Sequence, residues 1–204
     1  MQKTAFVLGN GTSRSSISVS ELKCHGKVYG CNAIYRTDCP DYLVAVDPRM
    51  VIEITESGYH KHNQVWTNPR NGLTEIKGIK FFEPGLGWSS GPTALWLASQ
   101  HNPRKIYILG FDYKGLDNGT VVNNLYAGTQ NYKRKDAKAT YYGNWLNQTC
   151  KVIKSNPKIL YTRVIQSDNY CPEELNKFEN FTTIDIEDFL KTLPDDVLHK
   201  NGPF

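Results

Sequence analysis

The chain has 204 residues, a length that fits one domain with a hydrophobic core of ordinary size. Its formal net charge of +4 is compatible with anionic small molecules, but without a clustered basic patch it does not indicate a nucleic-acid partner. The 5 cysteines are odd in number and include no Cys-x-x-Cys pair, which argues against a disulfide framework and against a zinc site.

No stretch of the sequence contains the roughly 18 consecutive apolar residues of a transmembrane helix, and the N-terminus lacks the features of a signal peptide. We therefore expect a soluble, cytoplasmic protein with reduced cysteines. The composition leaves open whether it forms a homo-oligomer.

A glycine-rich turn follows the first apolar run of the chain. Thr4–Leu8 predicts a buried strand, and it is followed by Gly9-Asn10-Gly11-Thr12-Ser13. Glycine allows close backbone approach, so N–H groups and hydroxyls here can bind a phosphate. Arg14 stands where the dinucleotide fingerprint requires a small residue, and the phosphate loop ending in Gly-Lys-Ser/Thr is absent. An ordinary βα turn is the alternative.

Two further predicted strands end in polar residues. The second strand ends at Asn32, and the third, at 42–46, ends at Asp47. Ligands of open parallel sheets bind beyond the carboxyl ends of the strands where strand order reverses, so we expect Asn10, Asn32 and Asp47 near one crevice. Structural alternatives are a turn-forming role for Asn32 and a helix cap for Asp47.

A second predicted anion site lies at Ser89-Ser90-Gly91, which leads into an apolar helix at 92–99. Free N–H groups and the positive helix end favour a phosphate or carboxylate there, and a capped core helix is the alternative. The clearest strand, Lys105–Leu109, runs into Gly110-Phe111-Asp112-Tyr113, which again places glycine and an acid at a strand end.

Residues 113–140 show little apolar periodicity and contain the basic run Lys133-Arg134-Lys135. Irregular segments of this length are more often functional than structural, so we expect a basic, aromatic lid; a solvated loop is the alternative.

Strand patterns that alternate with helical patterns predict an α/β fold, a Rossmann-like parallel sheet with helices on both faces, in a single domain over residues 1–204. The other predicted elements are helices at 18–22 and 50–59, strands at 64–67 and 159–165, a helix at 141–153, a helix start at 172–175 and an amphipathic helix at 184–190.

Four of these motifs, in order over roughly residues 4 to 115, resemble the bacterial lipooligosaccharide sialyltransferases. They are Gly9-Asn10-Gly11-Thr12-Ser13, Cys31-Asn32-Ala33-Ile34-Tyr35, Ser89-Ser90-Gly91 with its helix, and Ile108-Leu109-Gly110-Phe111-Asp112-Tyr113. The chain is more distantly similar to the Rossmann-like hydroxymethylpterin diphosphokinases and motility-accessory proteins. The sialyltransferase resemblance implies a cytidine-monophosphate sugar donor contacted by Asn10, Ser13, Asn32, Asp47, Ser90, Gly110 and Asp112.

The chain departs from that family at three places. Thr12 stands where the family has proline, and Asp47 stands where it has asparagine. The family has its catalytic histidine after the Asp-Tyr turn, whereas residues 113–170 contain no histidine. The resemblance therefore implies a donor site but supplies no base.

Sialyl transfer needs a base for the acceptor hydroxyl and hydrogen-bond donors for the leaving phosphate. Candidate bases are Asp47, Asp112 and a histidine of the 60–62 loop. His60 and His62 form a His-x-His pair that could bind a metal ion on a strand, where alternate residues share a face. Because no third metal ligand is near, we interpret these two histidines as exposed loop residues. The residues that could donate hydrogen bonds to the leaving phosphate are Tyr126, Tyr132, Tyr141, Tyr142, Lys133 and Arg134. We group Tyr141 with Asp47 and Asp112 as candidate catalytic residues.

Three functions follow as hypotheses. The first is a nucleotide-sugar-dependent, sialyltransferase-related glycosyltransferase, for which the resemblance implies no metal essential to the chemical step. The second is a diphosphokinase-type phosphoryl transferase in which Asp47 and Asp112 hold Mg²⁺ against phosphates. The third is a nucleotide-binding protein without catalysis, motivated by the missing histidine.

Overall fold

The chain folds around one parallel sheet. The computed structural model describes residues 3–166 and 170–193. Within these ranges the strands are β1 (Thr4–Leu8), β2 (Lys27–Cys31), β3 (Tyr42–Val44), β4 (Gln64–Thr67), β5 (Ile79–Phe81), β6 (Lys105–Leu109), β7 (Leu160–Ile165) and β8 (Phe181–Asp185). The α-helices are α1 (Val19–His25), α2 (Pro48–Glu56), α3 (Ser90–Gln100), α4 (Gly143–Ser155) and α5 (Ile186–Thr192). None of these helices is long and apolar enough to cross a membrane.

The order of the strands creates a switch point in the middle of the sheet. The order is β5-β4-β3-β2-β1-β6-β7-β8, and every pair is parallel. The chain builds outward from β1 through β2 to β5, and β6 then returns to the other side of β1. A crevice therefore opens beyond the carboxyl ends of β1 and β6, where Rossmann-like folds bind ligands.

Both faces of the sheet are buried, as a parallel sheet requires. Successive residues of β1 point to opposite faces, so Phe6 packs in one core cluster and Val7 in the other. The first cluster includes Ile54 of α2 and Phe189 of α5. The second includes Leu95 of α3 with Val152 and Ile153 of α4. The predicted Rossmann-like α/β fold is thus confirmed.

The prediction of a helix start at 172–175 is wrong, because the structure has only turns in this region. The helix predicted at 184–190 is displaced: Phe181–Asp185 forms β8, Asp185 caps the following helix, and α5 begins at Ile186. Three β-branched residues in five favour the strand, but so short a pattern does not separate it from a helix. Strand β5, with three residues, is too short to show any periodicity.

Candidate functional site

A cavity of about 470 Å³ opens at the switch point, within the size range of small-molecule sites. The turns after β1, β2, β3 and β6, the start of α3, and parts of residues 122–145 form its walls. The structure brings together here these residues that the sequence selected: Gly9, Asn10, Gly11, Asn32, Asp47, Ser89, Ser90, Gly91, Gly110, Phe111, Asp112, Tyr113, Tyr132 and Lys133.

Apart from the two histidines described below, five selected residues lie outside this cavity lining. One is Tyr126, a candidate donor to the phosphate, which is buried with its hydroxyl 3.1 Å from Thr37 Oγ1. Thr12 and Ser13 line a smaller neighbouring cavity of about 210 Å³. Tyr141, a candidate catalytic residue, is 77% exposed, whereas its neighbour Tyr142 lines the main cavity. Arg134 is exposed and forms an ion pair with Asp136 at 3.1 Å. Of the basic run, Lys133 lines the cavity, and its Nζ donates to Lys138 O at 3.3 Å.

Several cavity residues were not selected from the sequence as site residues. They are Cys31, Val46, Pro92, Val122, Asn123, Asn124, Ala127, Asn131, Thr140 and Trp145. Trp145 forms an edge-to-face pair, with ring centroids 5.3 Å apart, with Tyr142, which the sequence had selected as a candidate donor to the phosphate. The three-residue spacing of Trp145 from Tyr142 at the start of a predicted helix was the signal that could have identified it.

The backbone of the first turn is hydrogen-bonded inside the protein. Gly9 N donates to Leu109 O at 2.8 Å, and Gly11 N donates to Gly110 O at 2.9 Å. These bonds fasten the turn after β1 to the turn after β6. The sequence predicted N–H groups free for a phosphate, but these two donors already have acceptors.

Asp112 connects the first turn to the irregular segment. Its Oδ1 accepts a hydrogen bond from the Ser13 hydroxyl, and its Oδ2 accepts from Ser13 N at 3.1 Å and from Asn123 Nδ2 at 3.0 Å. Asn123 Oδ1 in turn accepts from Thr12 N and from Thr12 Oγ1, each at 2.9 Å. Both carboxylate oxygens are therefore occupied, and Asp112 holds the site together.

The start of α3 offers donors to the cavity. Ser90 and Gly91 are its first two residues, so their N–H groups have no acceptor within the helix. Ser90 Oγ accepts a hydrogen bond from Val46 N at 3.1 Å, which fixes the helix start against the turn after β3. The partial positive charge of the helix end favours an anionic group at this wall.

Asn32 carries a polar atom without a partner. It lies directly after β2 with φ at 53°, a left-handed conformation, and it lines the cavity. Its Oδ1 is buried and has no hydrogen-bond partner among the described residues. A buried acceptor left unpaired costs about 1–3 kcal/mol, so a donor group on a ligand would be favourable here.

We expect Asn32→Gly to stabilise the folded protein and to weaken ligand binding. Glycine relieves the left-handed strain, worth roughly 1 kcal/mol, and removes the unpaired oxygen. The lost ligand contact should reduce affinity by about tenfold. Thermal unfolding and calorimetric titration give the two readouts, and a simultaneous loss of both stability and affinity would contradict a ligand-binding role for Asn32.

The irregular segment is held down over the cavity by α2 and the turn after β2. Arg36 donates to Thr129 Oγ1 at 2.7 Å and to Gln130 O at 2.9 Å, while Asn131 Nδ2 donates to Glu53 Oε2 at 2.7 Å. Arg36 and Glu53 are themselves paired through two further bonds of 2.7 Å. Burial alone would raise the pKa of Glu53, but hydrogen bonds from Tyr35, Arg36 and Asn131 and the Arg36 charge lower it.

This anchoring should weaken in acid. A carboxyl whose pKa is lower in the folded protein contributes stability above the unfolded value of about 4.3, and the contribution is lost as pH falls through the folded pKa. We expect hydrogen-exchange protection of residues 129–131 to fall below pH 4, and Glu53→Gln to reduce it already at pH 7. Glu56→Gln, an exposed position on the same helix, is the control; equal protection in both variants would contradict the prediction.

Asp47 has a different environment from Asp112. It is exposed at the cavity and caps α2, because its Oδ1 accepts a hydrogen bond from Arg49 N at 2.9 Å. The helix-cap interpretation is thus confirmed. The second oxygen, Oδ2, makes no hydrogen bond with any described residue and remains available to a substrate.

The two histidines of the 60–62 segment do not line the cavity. His62 is exposed, as predicted, but the prediction for His60 is wrong, because only 9% of it is exposed. Tyr59–Lys61 forms a 3-10 turn that turns His60 inward, so the two rings do not share a face as they would on a strand. Across the described residues, no group of three or more His, Cys, Asp or Glu side chains is placed to hold a metal ion.

Comparisons of the chain with protein-family models, with curated proteins and with solved structures find no match.

Proposed function

We propose that the switch-point cavity binds a nucleotide-sugar donor and that the chain is a glycosyltransferase-like enzyme related to the bacterial lipooligosaccharide sialyltransferases. The observation that carries this proposal is convergence. The four motifs of the resemblance lie far apart in the sequence, yet each contributes residues to one cavity. The carboxyl ends of all the strands share one edge of a parallel sheet, so the meeting of the motifs supports a ligand site at that edge, and the resemblance supports the class of ligand.

The distribution of polar groups suits a donor with a phosphate. The start of α3 supplies N–H groups and a positive helix end, and Lys133 supplies a cation from the irregular segment. Tyr142 and Trp145 form an aromatic wall on which a base or sugar ring can pack. The Tyr142 hydroxyl is already protonated at neutral pH and can donate a hydrogen bond, and burial raises its pKa further.

Asp47 is the best candidate for the general base of this reaction. Of the two acidic residues in the cavity lining, Asp112 already accepts three hydrogen bonds, whereas Asp47 has one unengaged oxygen. In the proposed step Asp47 takes the proton of the acceptor hydroxyl, whose oxygen bonds to the anomeric carbon. The bond from that carbon to the phosphate oxygen breaks, and the electron pair leaves with the nucleotide.

A cytoplasmic location is part of the proposal, since nucleotide-sugar donors are cytoplasmic metabolites. The 5 cysteines all lack a disulfide partner, which suits a reducing compartment.

The first experiment is a thermal-shift screen with cytidine, uridine, guanosine and adenosine phosphates and their sugars, each with and without Mg²⁺. A ligand of the native state raises the melting temperature by mass action, about 2.7 kcal/mol at a hundredfold excess over Kd. We expect stabilisation by cytidine monophosphate without Mg²⁺. Stabilisation only by triphosphates with Mg²⁺ would favour phosphoryl transfer instead, and no shift with any nucleotide would overturn the proposal.

Two neighbouring tyrosines provide a matched control for the location of the site. Tyr142 lines the cavity and Tyr141 is 77% exposed outside its lining. Tyr142→Phe should therefore reduce the thermal shift with nucleotide, and Tyr141→Phe should leave it unchanged. The reverse result would place the ligand elsewhere.

A further inference from the structure

Arg14 is a buried cation beneath the first turn. It is 4% exposed and forms no ion pair with a carboxylate of the described residues. Its Nε donates a hydrogen bond to Gly9 O, and its Nη2 donates to Asn10 Oδ1 at 3.2 Å. A guanidinium has donors and no acceptor, so the oxygen of the Asn10 amide must face Arg14.

This contact fixes the orientation of the Asn10 amide. With Oδ1 on Arg14, Nδ2 faces the other way and donates to Cys31 O and to Tyr132 Oη, each at 3.2 Å. The Cys31 carbonyl only accepts hydrogen bonds, so it demands the same orientation independently. The side chain of Asn10 is therefore fully engaged within the protein, and it delivers an N–H to Tyr132.

The Tyr132 oxygen accepts hydrogen bonds from two N–H groups, and neither group can act as an acceptor. Asn10 Nδ2 is one, and Ala33 N, at 3.3 Å, is the other. These two bonds occupy the acceptor capacity of the hydroxyl, and its own proton has no acceptor among the described residues. Tyr132 lines the cavity, so this proton is directed to whatever occupies it.

We propose that Tyr132 donates its hydroxyl proton to an anionic oxygen of the bound ligand, and that Arg14 is a positioning residue that sets this direction through Asn10. The inference rests on the proposed function: the sequence already made Tyr132 a candidate donor to the phosphate, and the new step is that Arg14, through Asn10, directs the Tyr132 proton into the cavity. Lys133, which follows Tyr132, also lines the cavity, and its Nζ donates to Lys138 O at 3.3 Å, so the wall that carries the Tyr132 hydroxyl also carries a positive charge. A phosphate or a sugar carboxylate is the class of group that such a pair binds.

Affinity measurements on a pair of isosteric variants test the direction of the proton. Tyr132→Phe should weaken cytidine monophosphate binding by about tenfold and leave cytidine binding unchanged, because the lost hydrogen bond is to the charged group. In the Asn10→Asp background, Tyr132 donates to the new carboxylate instead of to the ligand. Tyr132→Phe should then change affinity less than twofold. An equal loss of affinity in both backgrounds would overturn the proposed direction of the Tyr132 proton.

Further measurements identify which ligand group carries the anionic oxygen, and they test the role of Arg14. A Tyr132→Phe effect with cytidine monophosphate identifies the phosphate, and an effect confined to its sialic acid conjugate identifies the carboxylate. Arg14→Lys retains a donor-only group and should preserve the Tyr132 effect, whereas Arg14→Met should abolish it. Tyr42→Phe, at the amino end of β3 and outside the cavity lining, is the control that should have no effect.

A ligand-free measurement keeps the inference testable where Arg14 variants do not fold, and separates it from the proposed function. In protein labelled with ζ-¹³C tyrosine and dissolved in mixed H₂O and D₂O, a hydroxyl that faces the open cavity exchanges fast and gives one averaged Tyr132 line. In Asn10→Asp the proton is held by the carboxylate and two lines should resolve. Two lines in the unmodified protein would overturn the inference even if nucleotides bind, and failure of all nucleotides to bind would overturn the assigned ligand even if one line is seen.

Discussion

Asp47→Asn is expected to lower kcat by about 10²–10⁴-fold, the usual contribution of a general base, with donor affinity nearly unchanged. The amide cannot take the proton of the acceptor hydroxyl. It still presents an oxygen to Arg49 N, so the cap of α2 and the turn after β3 should remain in place. Steady-state kinetics with a stabilising donor from the thermal-shift screen, together with the Kd of that donor, separate the two effects.

The matched control for this prediction is Asp112→Asn. Both oxygens of Asp112 accept hydrogen bonds, so an amide NH₂ would face the donor groups of Ser13 or Asn123. That variant should lose stability, and its loss of activity should follow the loss of folded protein. If Asp47→Asn retains full turnover, or if its activity falls only with its melting temperature, the base lies elsewhere and Asp47 is a helix cap alone.

The sequence predicted many of the residues that line the cavity because strand ends are local signals. In a parallel sheet every carboxyl end lies at the same edge, so polar residues after successive strands, such as Asn32 and Asp47, could be brought together without knowledge of long-range contacts. The order of the strands then decides which ends face one another. The return of β6 beside β1 placed Asp112 next to the first turn, as the expected switch point requires.

What the sequence could not supply are contacts set by side chains across long separations. Thr12 meets Asn123 from 111 positions away, and nothing in either segment encodes that pairing. The same limit explains Tyr141 and Tyr142, adjacent residues of one type. Helix α4 begins at Gly143, and the turn before it places one ring in the cavity and the other in solvent. Composition predicts an aromatic lid but does not select its residue.

The structure also gives the glycines of the first turn a role that differs from the predicted one. The sequence predicted that Gly9 and Gly11 let an anion approach the backbone. In the structure Gly11 has φ of −65° and ψ of 150°, a conformation open to any residue, so the glycine is not required for its dihedral angles. Space is the requirement, because the turn after β6 lies directly against it.

Gly11→Ala is therefore expected to destabilise the protein by about 1–3 kcal/mol, the cost of overpacking a closely packed interior. An added Cβ would overlap the Asp112 carboxylate and lie 2.7 Å from Gly110 O, and neither group can move without breaking the bonds that join the first turn to β6. The melting temperature should fall by roughly 2–12 °C. Because Asp112 would also release Ser13 and Asn123, nucleotide affinity should fall with it.

Gly91→Ala is the control within the same cavity. A Cβ there lies 3.3 Å from Phe111 Cζ, the far edge of a side chain, and its position in the first turn of α3 gains helix propensity from alanine. Its melting temperature should stay close to that of the unmodified protein. If Gly11→Ala behaves like Gly91→Ala, the contact between the first turn and Asp112 does not constrain the site, and Asp112 loses its role as the residue that holds the cavity together. If only Gly11→Ala loses both stability and affinity, the first turn supports the shape of the cavity, and other groups of the cavity lining bind the ligand.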